Sequence, residues 1–328
     1  MENTPVKRTP RGYARLFFTG FAMGAADIVP GVSGGTMAFI LGIYEELLNA
    51  IKSFNFHTAR LVLSARLNEA LQIIPWRFLM VLGLGLATAI LSLSSGLSWL
   101  LENERSYLYA FFFGLILASI VAVGIRINRW YPLTMVSLVA GIIVAFIIVS
   151  LDPAQNADHS TPVLFFSGMI AIMAMILPGI SGSFILLLLG QYEYVLNAVR
   201  DFDLRTIFTV AAGCAVGIMG FSRVLSWLLK RYEQVTIAAL VGFMIGALPK
   251  LWPWQEEIDP NMEHAEEFTR RVLPDFASTE FLFALSLMLL GFLLVSFLDH
   301  LQSGQNPVFV QVERLLGRRR LAAASADQ

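Results

Sequence analysis

Long apolar stretches separated by short polar connections run along most of the chain. Six of them have about the length that an α-helix needs to cross a bilayer, roughly 20 residues. The six stretches lie at about 78–101, 107–125, 132–151, 206–229, 233–250 and 279–298. This pattern predicts six transmembrane helices in an all-α polytopic membrane protein.

Two further apolar regions, at 13–51 and 162–199, are too long for a single crossing, and each is interrupted midway by Pro-Gly-x-Ser-Gly. Proline removes a backbone donor, and unpaired backbone groups persist at membrane depth only where protein or a water-filled cavity covers them. We therefore predict that each region is a re-entrant hairpin of two half-helices with a buried break. The predicted hinges are Pro30 with Gly31 and Pro178 with Gly179.

The two hairpin regions are copies of each other. The segment from Ala26 reads ADIVPGVSGGTMAFILGIYEELLNAI, the segment from Ala174 reads AMILPGISGSFILLLLGQYEYVLNAV, and about half of the positions are identical without a gap. A weaker match pairs Ser98–Leu101 with Ser226–Leu229. Each copy contains one hairpin that does not cross and three helices that do, so the odd number of crossings predicts an inverted second copy.

This inverted repeat divides the chain into a first module at 1–155, a second module at 156–301 and a cytoplasmic tail at 302–328. Two inverted modules have two near-equivalent arrangements, one open to each side of the membrane. Exchange between the two arrangements gives alternating access to a site between the modules. The predicted architecture is therefore typical of a carrier.

Composition supports a membrane protein and excludes several other classes. The chain is 56% hydrophobic and 14% charged with a mean hydropathy of +0.68, which is more apolar surface than one soluble core could bury. A formal net charge of −1 provides no basic field for nucleic acid. Because Cys214 is the only cysteine, disulfide frameworks and cysteine-based zinc sites are excluded. We expect no metal and no cofactor.

Basic residues indicate the orientation, because cytoplasmic loops are enriched in Lys and Arg. They cluster on both sides of the first hairpin, between the second and third helices, after the fourth and after the sixth. The opposite side carries acidic loops, among them 255–278. Both termini are therefore predicted to be cytoplasmic. The basic start is interpreted as mature sequence, since no small-residue cleavage site follows it.

The stretch at 51–76 mixes aromatic and leucine side chains with charged ones. It is interpreted either as an amphipathic helix on the membrane surface or as a plain cytoplasmic connector. The tail at 302–328 is polar and offers no site.

The hairpin breaks carry the residues best suited to a substrate. Unpaired amides at a helix N-terminus, together with nearby hydroxyls, bind anions and especially phosphate. The alternative is that small residues only allow close helix packing, which does not explain why the whole broken pattern is duplicated. The candidate phosphate-binding residues are Ser33, Gly34, Gly35 and Thr36 in the first copy and Ser181, Gly182 and Ser183 in the second.

Two charged residues lie inside apolar segments, where an ionisable group is costly and usually functional. Asp27, whose counterpart in the second copy is Met175, could carry a coupling proton, coordinate sodium or simply cap a helix. Arg223 lies within the fourth predicted helix, opposite Ser95 in the repeat alignment. A buried guanidinium needs an anionic partner, either a substrate phosphate or Asp27, unless it reaches the membrane interface.

Glu45 and Glu193 recur in Gly-x-Tyr-Glu near the end of each hairpin. They are interpreted either as interfacial anchors together with Tyr44 and Tyr192 or as gating residues. Both interpretations stay open at this point.

An enzyme is not expected. Residues 31–35 fit the G-x-S-x-G of a hydrolase elbow, but apolar helix flanks them instead of strand, and the second copy ends in Ser183. No Gly-Lys-Ser/Thr follows, which excludes a P-loop. A phosphatase would need acidic or histidine groups near the phosphate, and the sequence shows no such cluster.

The chain resembles a bacterial membrane family, the undecaprenyl-phosphate (polyprenyl-phosphate) translocases, in GFAMGAADIVPGVSGGTMAFILGIYEELL and in LPGISGSFILLLLGQYEYVL. The resemblance extends from about Arg15 to Asp299, and the duplicated Pro-Gly-x-Ser-Gly is a specific signature. It implies the return of undecaprenyl phosphate from the outer to the inner leaflet of the cytoplasmic membrane, for reuse in wall and surface-glycan synthesis.

The residues and the resemblance fit each other chemically. A lipid phosphate is an anion on a long apolar tail, so its carrier needs a buried head-group site rich in cations and amides, while the tail can stay in lipid. The hairpin tips with Arg223 could supply that site, and Asp27 could couple transport to protons or sodium. The alternative is a secondary transporter of a small soluble anion, which would use the same hairpins around an aqueous cavity.

Overall fold

The computed structural model describes residues 8–29, 32–154, 157–257, 269–304 and 306–311. These residues form fourteen α-helices, a short 3-10 helix at Leu248–Leu251 and an antiparallel pair of strands. The helices are α1 (Pro10–Ile28), α2 (Gly34–Ile40), α3 (Tyr44–Lys52), α4 (Phe56–Leu63), α5 (Leu67–Ile73), α6 (Trp76–Asn103), α7 (Arg105–Gly124), α8 (Pro132–Val149), α9 (Thr161–Ile176), α10 (Gly182–Leu188), α11 (Tyr192–Arg200), α12 (Leu204–Arg231), α13 (Glu233–Ala247) and α14 (Thr279–Ser303). The strands are β1 (Gln255–Glu257) and β2 (Thr269–Arg271).

Six helices in the described part of the chain are long and apolar enough to cross a membrane: α6, α7, α8, α12, α13 with the 3-10 helix, and α14. The six predicted transmembrane helices are thereby confirmed. Their outer faces carry large apolar side chains, as on α8, where Val136, Val139, Ile143 and Ile147 are all more than half exposed. An apolar surface of this kind fits lipid and not water. The protein is an all-α polytopic membrane protein.

Each predicted hairpin consists of three helices instead of two. The first hairpin is α1, α2 and α3, and the second is α9, α10 and α11. The additional breaks lie at Gly42 and Gly190, whose φ angles of 70° and 66° are left-handed values that glycine adopts without a Cβ clash. The axes of α10 and α11 differ by 111°. The prediction of two half-helices was therefore wrong in the return arm, and the Leu-Gly repeated in both copies was the available signal.

The hinge prediction can be followed only in the second copy, because Pro30 and Gly31 lie outside the described residues. Pro178 and Gly179 connect α9 to α10, and Gly179 has a φ of 94°. A side chain at this position would be strained, which fits a fixed sharp turn. Motion at this turn stays a prediction.

The connection at 51–76 is not a single amphipathic helix. It forms α4 and α5, which are separated by Ala65 with a φ of 56°. Phe56 remains 87% exposed. In the predicted acidic loop, β1 pairs with β2, and residues 258–268 lie outside the described part, as does the tail beyond 311.

Four pairs of helices pack closely: α1 with α6, α9 with α12, α7 with α14, and α8 with α13. Glycines allow this approach. A Cβ added to Gly20 would lie 2.1 Å from the carbonyl oxygen of Leu82, and one added to Gly213 would lie 2.0 Å from that of Phe165. The backbones are therefore too close for any larger residue, as is common where membrane helices associate.

The pairing follows the sequence repeat. If each helix is replaced by the equivalent helix of the other copy, the pair α1–α6 becomes α9–α12 and the pair α7–α14 becomes α13–α8. The first two pairs each lie within one half, whereas the last two pairs join the halves. Packing therefore repeats in the same order as the sequence.

The first hairpin returns to the side where it began. Arg8, just before α1, forms an ion pair with Glu46 in α3, and its guanidinium carbon lies 5.3 Å from the ring centroid of Phe78 near the start of α6. At the end of α3, Lys52 donates from Nζ to Oγ of Ser226 at 2.5 Å. The last part of α12 therefore lies on the side where α1 and α6 begin.

Candidate functional site

The two hairpin tips, described at residues 29 and 32–36 in the first copy and at 177–184 in the second, touch each other. Ser33 donates from Oγ to the carbonyl oxygen of Met175 at 2.9 Å, and the amide of Gly179 donates to Oγ1 of Thr36 at 3.0 Å. Both Ser33 and Thr36 have an exposed fraction of 0%. In this structure these two predicted site residues of the first copy therefore bind the second copy.

Tyr44 extends the contact between the first hairpin and the end of α9. Its hydroxyl donates to the carbonyl oxygen of Ile176 at 2.9 Å, and the side chain is only 3% exposed. A Cβ added to Gly35 would lie 2.9 Å from the carbonyl oxygens of both Met175 and Ile176. The first hairpin is thus closed against the second, and Tyr44 is not the interfacial anchor that was one interpretation of its motif.

Asp27 caps α2. Its Oδ1 atom accepts a hydrogen bond from the amide of Gly34 at 2.6 Å, while Oγ of Ser33 accepts one from the amide of Gly35 at 3.1 Å. A Cβ added to Gly34 would lie 2.5 Å from Oδ2 of Asp27. The chain's own oxygens therefore occupy the first amides of this helix. This is the capping geometry that the sequence left open, and a coupling role for Asp27 stays a prediction.

The second tip is arranged differently. The hydroxyls of Ser181 and Ser183 are 2.7 Å apart, and Oγ of Ser181 accepts a hydrogen bond from the amide of Phe184 at 3.3 Å. Met175 stands where the first copy has Asp27. Ser183 is exposed, in contrast to the buried Ser33 and Thr36. The second tip therefore offers a hydroxyl that is open to a ligand.

A cavity of about 910 Å³ lies beside the second tip. It is bounded by the turn from α6 to α7, the second hairpin, the 3-10 helix with the residues after it, and the start of α14. Ile28 at the end of α1, Ser183 and Tyr192 all line it. The cavity therefore extends from the side that the charge pattern predicts to be external to the second tip and to the end of α1.

Charged side chains line this cavity as well. The cations among the described lining residues are Arg105 and Lys250, and the carboxylates are Glu102, Glu104 and Glu280. Neither cation was predicted from the sequence as a site residue, because neither belongs to the repeated motif. Only their position next to predicted helix ends could have drawn attention to them.

Arg223 lies elsewhere. Its guanidinium donates from Nη1 to the carbonyl oxygen of Met219 and from Nη2 to that of Phe54 at 3.2 Å, and the residue is exposed. The carbonyl of Phe54 belongs to the connection that follows the first hairpin. Arg223 is also absent from the cavity wall. This structure therefore does not bring Arg223 together with the hairpin tips. Its role in phosphate binding stays a prediction.

The surroundings of Arg223 are basic. Burial lowers the pKa of Lys52, and the positive charges of Lys230 and Arg223 lower it further, in part balanced by Glu45. Three cations thus gather where the first hairpin ends. They lie on the side predicted to be cytoplasmic, opposite to the cavity.

Glu45 and Glu193 occupy equivalent positions in the first turns of α3 and α11. Both are exposed. A carboxylate is favourable at the N-terminal end of a helix because of the helix dipole, so this placement accounts for the repeated acid without a gate. A gating role stays a prediction.

Six spanning helices, two broken hairpins that meet inside the protein and a polar cavity that reaches the second tip are the features of an α-helical membrane transporter. The comparison with known sequences agrees with this class. The chain belongs to the undecaprenyl phosphate translocase-like family, whose sequence model matches residues 23–268. The resemblance noted from the hairpin motifs is therefore confirmed.

Two relatives carry the name polyprenyl-phosphate transporter. The protein from Vibrio cholerae is 45% identical over 246 residues, which cover 75% of this chain and 80% of that protein. The protein from Staphylococcus aureus is 31% identical over 252 residues, which cover 71% of this chain and 84% of that protein. No solved structure matches the chain at a significant level.

Proposed function

We propose that this protein translocates undecaprenyl phosphate, or a related polyprenyl phosphate, across the cytoplasmic membrane of a bacterium. In this proposal it returns the lipid from the outer to the inner leaflet, where the lipid again carries cell-wall and surface-glycan precursors. The observation that carries the proposal is the cavity that joins the side predicted to be external to Ser183 at the second tip. The names of the two relatives support the substrate class.

The chemistry of the lipid fits a site at the tips. Its phosphate must leave water and is stable in the membrane only beside polar or cationic groups, whereas its tail can remain in hydrocarbon. Ser183 presents a hydroxyl to the cavity, and Ser181 lies within hydrogen-bond distance of it. The phosphate is proposed to bind here first, with Ser33, Gly34, Gly35, Thr36 and Gly182 becoming accessible when the tips separate.

Alternating access is proposed as the mechanism, and the contacts of the two copies support it. The hydroxyl of Tyr44 is bonded to the carbonyl of Ile176. The repeat alignment makes Tyr192 and Ile28 the equivalent pair, and both of these residues line the open cavity. In the opposite state, Tyr192 would bond to the carbonyl of Ile28 and close the cavity, while Tyr44 would release Ile176.

The inverted repeat is part of this proposal. The end of α12 lies beside the end of the first hairpin through the bond from Lys52 to Ser226, on the side where α6 begins. Since α12 ends on the side where α6 begins, these two helices run in opposite directions. They are equivalent helices of the two copies, so this is what an inverted repeat requires. The matched helix pairs of the two halves support the same relation.

Coupling through Asp27 is the least constrained part of the proposal. Asparagine can accept the hydrogen bond from the amide of Gly34 but carries no charge, so Asp27→Asn separates capping from coupling. If Asp27 couples transport to protons or sodium, Asp27→Asn keeps the thermal stability of the wild type but loses the stimulation by an ion gradient. A variant that responds to gradients as the wild type does would leave Asp27 as a cap only.

The decisive experiment is transbilayer movement of undecaprenyl phosphate in proteoliposomes, with empty vesicles as the control and with proton and sodium gradients supplied. We expect movement above the control and no uptake of inorganic phosphate into the same vesicles. No lipid movement with folded protein would overturn the proposal. Uptake of inorganic phosphate instead would identify a soluble-anion carrier.

A further inference from the structure

Arg105, the first residue of α7, is held in place on one side only. Its guanidinium carbon lies 5.1 Å from the ring centroid of Tyr109, and Nη2 donates to the Tyr109 hydroxyl at 3.4 Å. Its Nε atom is buried and has no hydrogen-bond partner among the described residues. A buried charged donor without an acceptor is costly. An acceptor supplied from the cavity, whose wall includes Arg105, would remove this cost.

Lys250 brings a second positive charge to the same cavity. Its Nζ atom lies 4.7 Å from the ring centroid of Phe184, the residue that follows Ser183 in the second tip. The hydroxyl of Tyr192 and that of Ser98 belong to the same wall. Two cations and several hydroxyls are therefore gathered around one space that ends at the second tip.

The carboxylates of the cavity do not neutralise Arg105. Glu102 and Glu280 are exposed, and no described carboxylate forms an ion pair with Arg105, although Glu102 and Glu104 are close to it in sequence. The acids of the cavity therefore leave the buried Nε donor of Arg105 without an acceptor.

We infer that Arg105 and Lys250 form the binding site for the phosphate monoester head group of the lipid as it enters from the side predicted to be external. Arginine provides a planar fork that matches phosphate oxygens, and lysine adds a point charge to the wall of the same cavity. Ser183 lines the same cavity and precedes Phe184, the residue that Lys250 contacts, so the head group would pass from the two cations to the second tip. This inference rests on the proposed function and assigns residues that the repeated motif does not contain.

The test is binding of undecaprenyl phosphate to the purified full-length protein in nanodiscs, with undecaprenol and inorganic phosphate as further probes. Loss of a charged hydrogen-bond partner is expected to weaken binding of undecaprenyl phosphate by about tenfold or more in Arg105→Ala and in Lys250→Ala. Arg105→Lys should bind with intermediate affinity. Undecaprenol should bind equally weakly to all variants, and inorganic phosphate should compete only at high concentration.

A matched control is Arg270→Ala. Arg270 is an exposed cation on the same predicted side, is paired with Glu256 and lies outside the cavity wall. This variant should bind as the wild type does. By contrast, the double variant Glu102→Gln with Glu280→Gln should bind undecaprenyl phosphate a few fold more tightly. The reason is that two negative charges, which repel the phosphate, are removed from the cavity wall.

The outcomes separate this inference from the proposed function. If the wild type binds and moves undecaprenyl phosphate but Arg105→Ala and Lys250→Ala do so equally well, the cation pair is not the head-group site and the proposed function stands. If folded wild type binds no undecaprenyl phosphate, the proposed function itself is lost. Tight binding of inorganic phosphate that undecaprenyl phosphate does not displace would overturn the assignment to a lipid head group. Thermal unfolding of each variant, with Arg105→Lys as the least disruptive change, excludes misfolding as the cause of a loss.

Discussion

The two hairpins have half of their aligned residues in common, yet they make different contacts. In the first, Ser33 and Thr36 are fully buried and Tyr44 is bonded to the second copy. In the second, Ser183 is exposed and Tyr192 lines a cavity. Some differences are fixed by the sequence, such as Asp27 in the first copy and Met175 in the second, and no conformational change can exchange them. Others, such as Tyr44 bonded against Tyr192 unbonded, concern identical residues, and the proposed alternating access would exchange them.

The strongest way to break this comparison is to force the second hairpin into the arrangement of the first. Ile28→Cys with Tyr192→Cys, in a Cys214→Ser background, should be joined by a short bis-methanethiosulfonate reagent of about the length of a tyrosine side chain when the cavity closes, and the cross-linked protein should have no transport because it cannot reopen. Transport is measured in proteoliposomes before and after reduction. The reduced double variant is the control, and cross-linked protein that still transports at the reduced rate would contradict the proposed closure.

Adding one methyl group at equivalent positions should show how differently the tips are packed. Gly34→Ala places a Cβ 2.5 Å from Asp27, so we expect a loss of about 2 to 3 kcal/mol in the free energy of unfolding. At Gly182 the nearest atom to such a Cβ is 3.0 Å away, and we expect a loss of about 1 kcal/mol.

Thermal unfolding in nanodiscs measures both variants, and Gly83→Ala, where the added Cβ has no neighbour within 4 Å, is the control. Equal losses of stability in Gly34→Ala and Gly182→Ala would show that the contact between Gly34 and Asp27 does not make the first tip more tightly packed than the second.

Arg223 has no counterpart in the second half, where Ser95 takes its place. Arg223→Ala removes the bond to the carbonyl of Phe54 at the end of the first hairpin, and we expect transport to fall by about tenfold because a charge-assisted hydrogen bond is lost. Arg66→Ala, in an exposed pair with Glu69, is the matched control and should be neutral. Normal transport by Arg223→Ala in folded protein would remove it from the mechanism.

The smallest expected effects come from the two tyrosine hydroxyls. Tyr44→Phe removes a bond of about 1 kcal/mol that exists in the open-cavity state, so the population of that state should fall about fivefold relative to the closed state. Tyr192→Phe should shift the population in the opposite direction.

Labelling of Ser183→Cys, in the Cys214→Ser background, by a thiol reagent that does not cross membranes reports the open cavity. Identical labelling in both tyrosine variants would mean that these hydroxyls do not take part in the exchange.

The sequence predicted those features that depend on local hydrophobicity or on the repeat. Six apolar stretches became six spanning helices, and the broken motif at Pro178 became a tight turn at Gly179. The second break, at Gly42 and Gly190, was missed because a single glycine within an apolar run is compatible with a helix as well as with a turn.

The cation pair could not be predicted at all. Arg105 and Lys250 are far apart along the chain, and only the packing of α7 against α14 and the 3-10 helix brings them to one cavity. Arg223 illustrates the opposite case, because a charge inside an apolar segment drew attention, yet its partner is a carbonyl group in a connection and not the tips.

The helix pairs that join the halves have a consequence for the origin of the chain. A Cβ added to Gly114 in α7 would lie 1.8 Å from the carbonyl of Met288 in α14, and one added to Gly242 in α13 would lie 2.3 Å from that of Leu138 in α8. A half-length protein would expose these closely fitted faces, and a second copy of itself is what could cover them. An ancestor of half this length would therefore have been an obligate dimer, and gene fusion would have converted its subunit interface into the interior of one polypeptide.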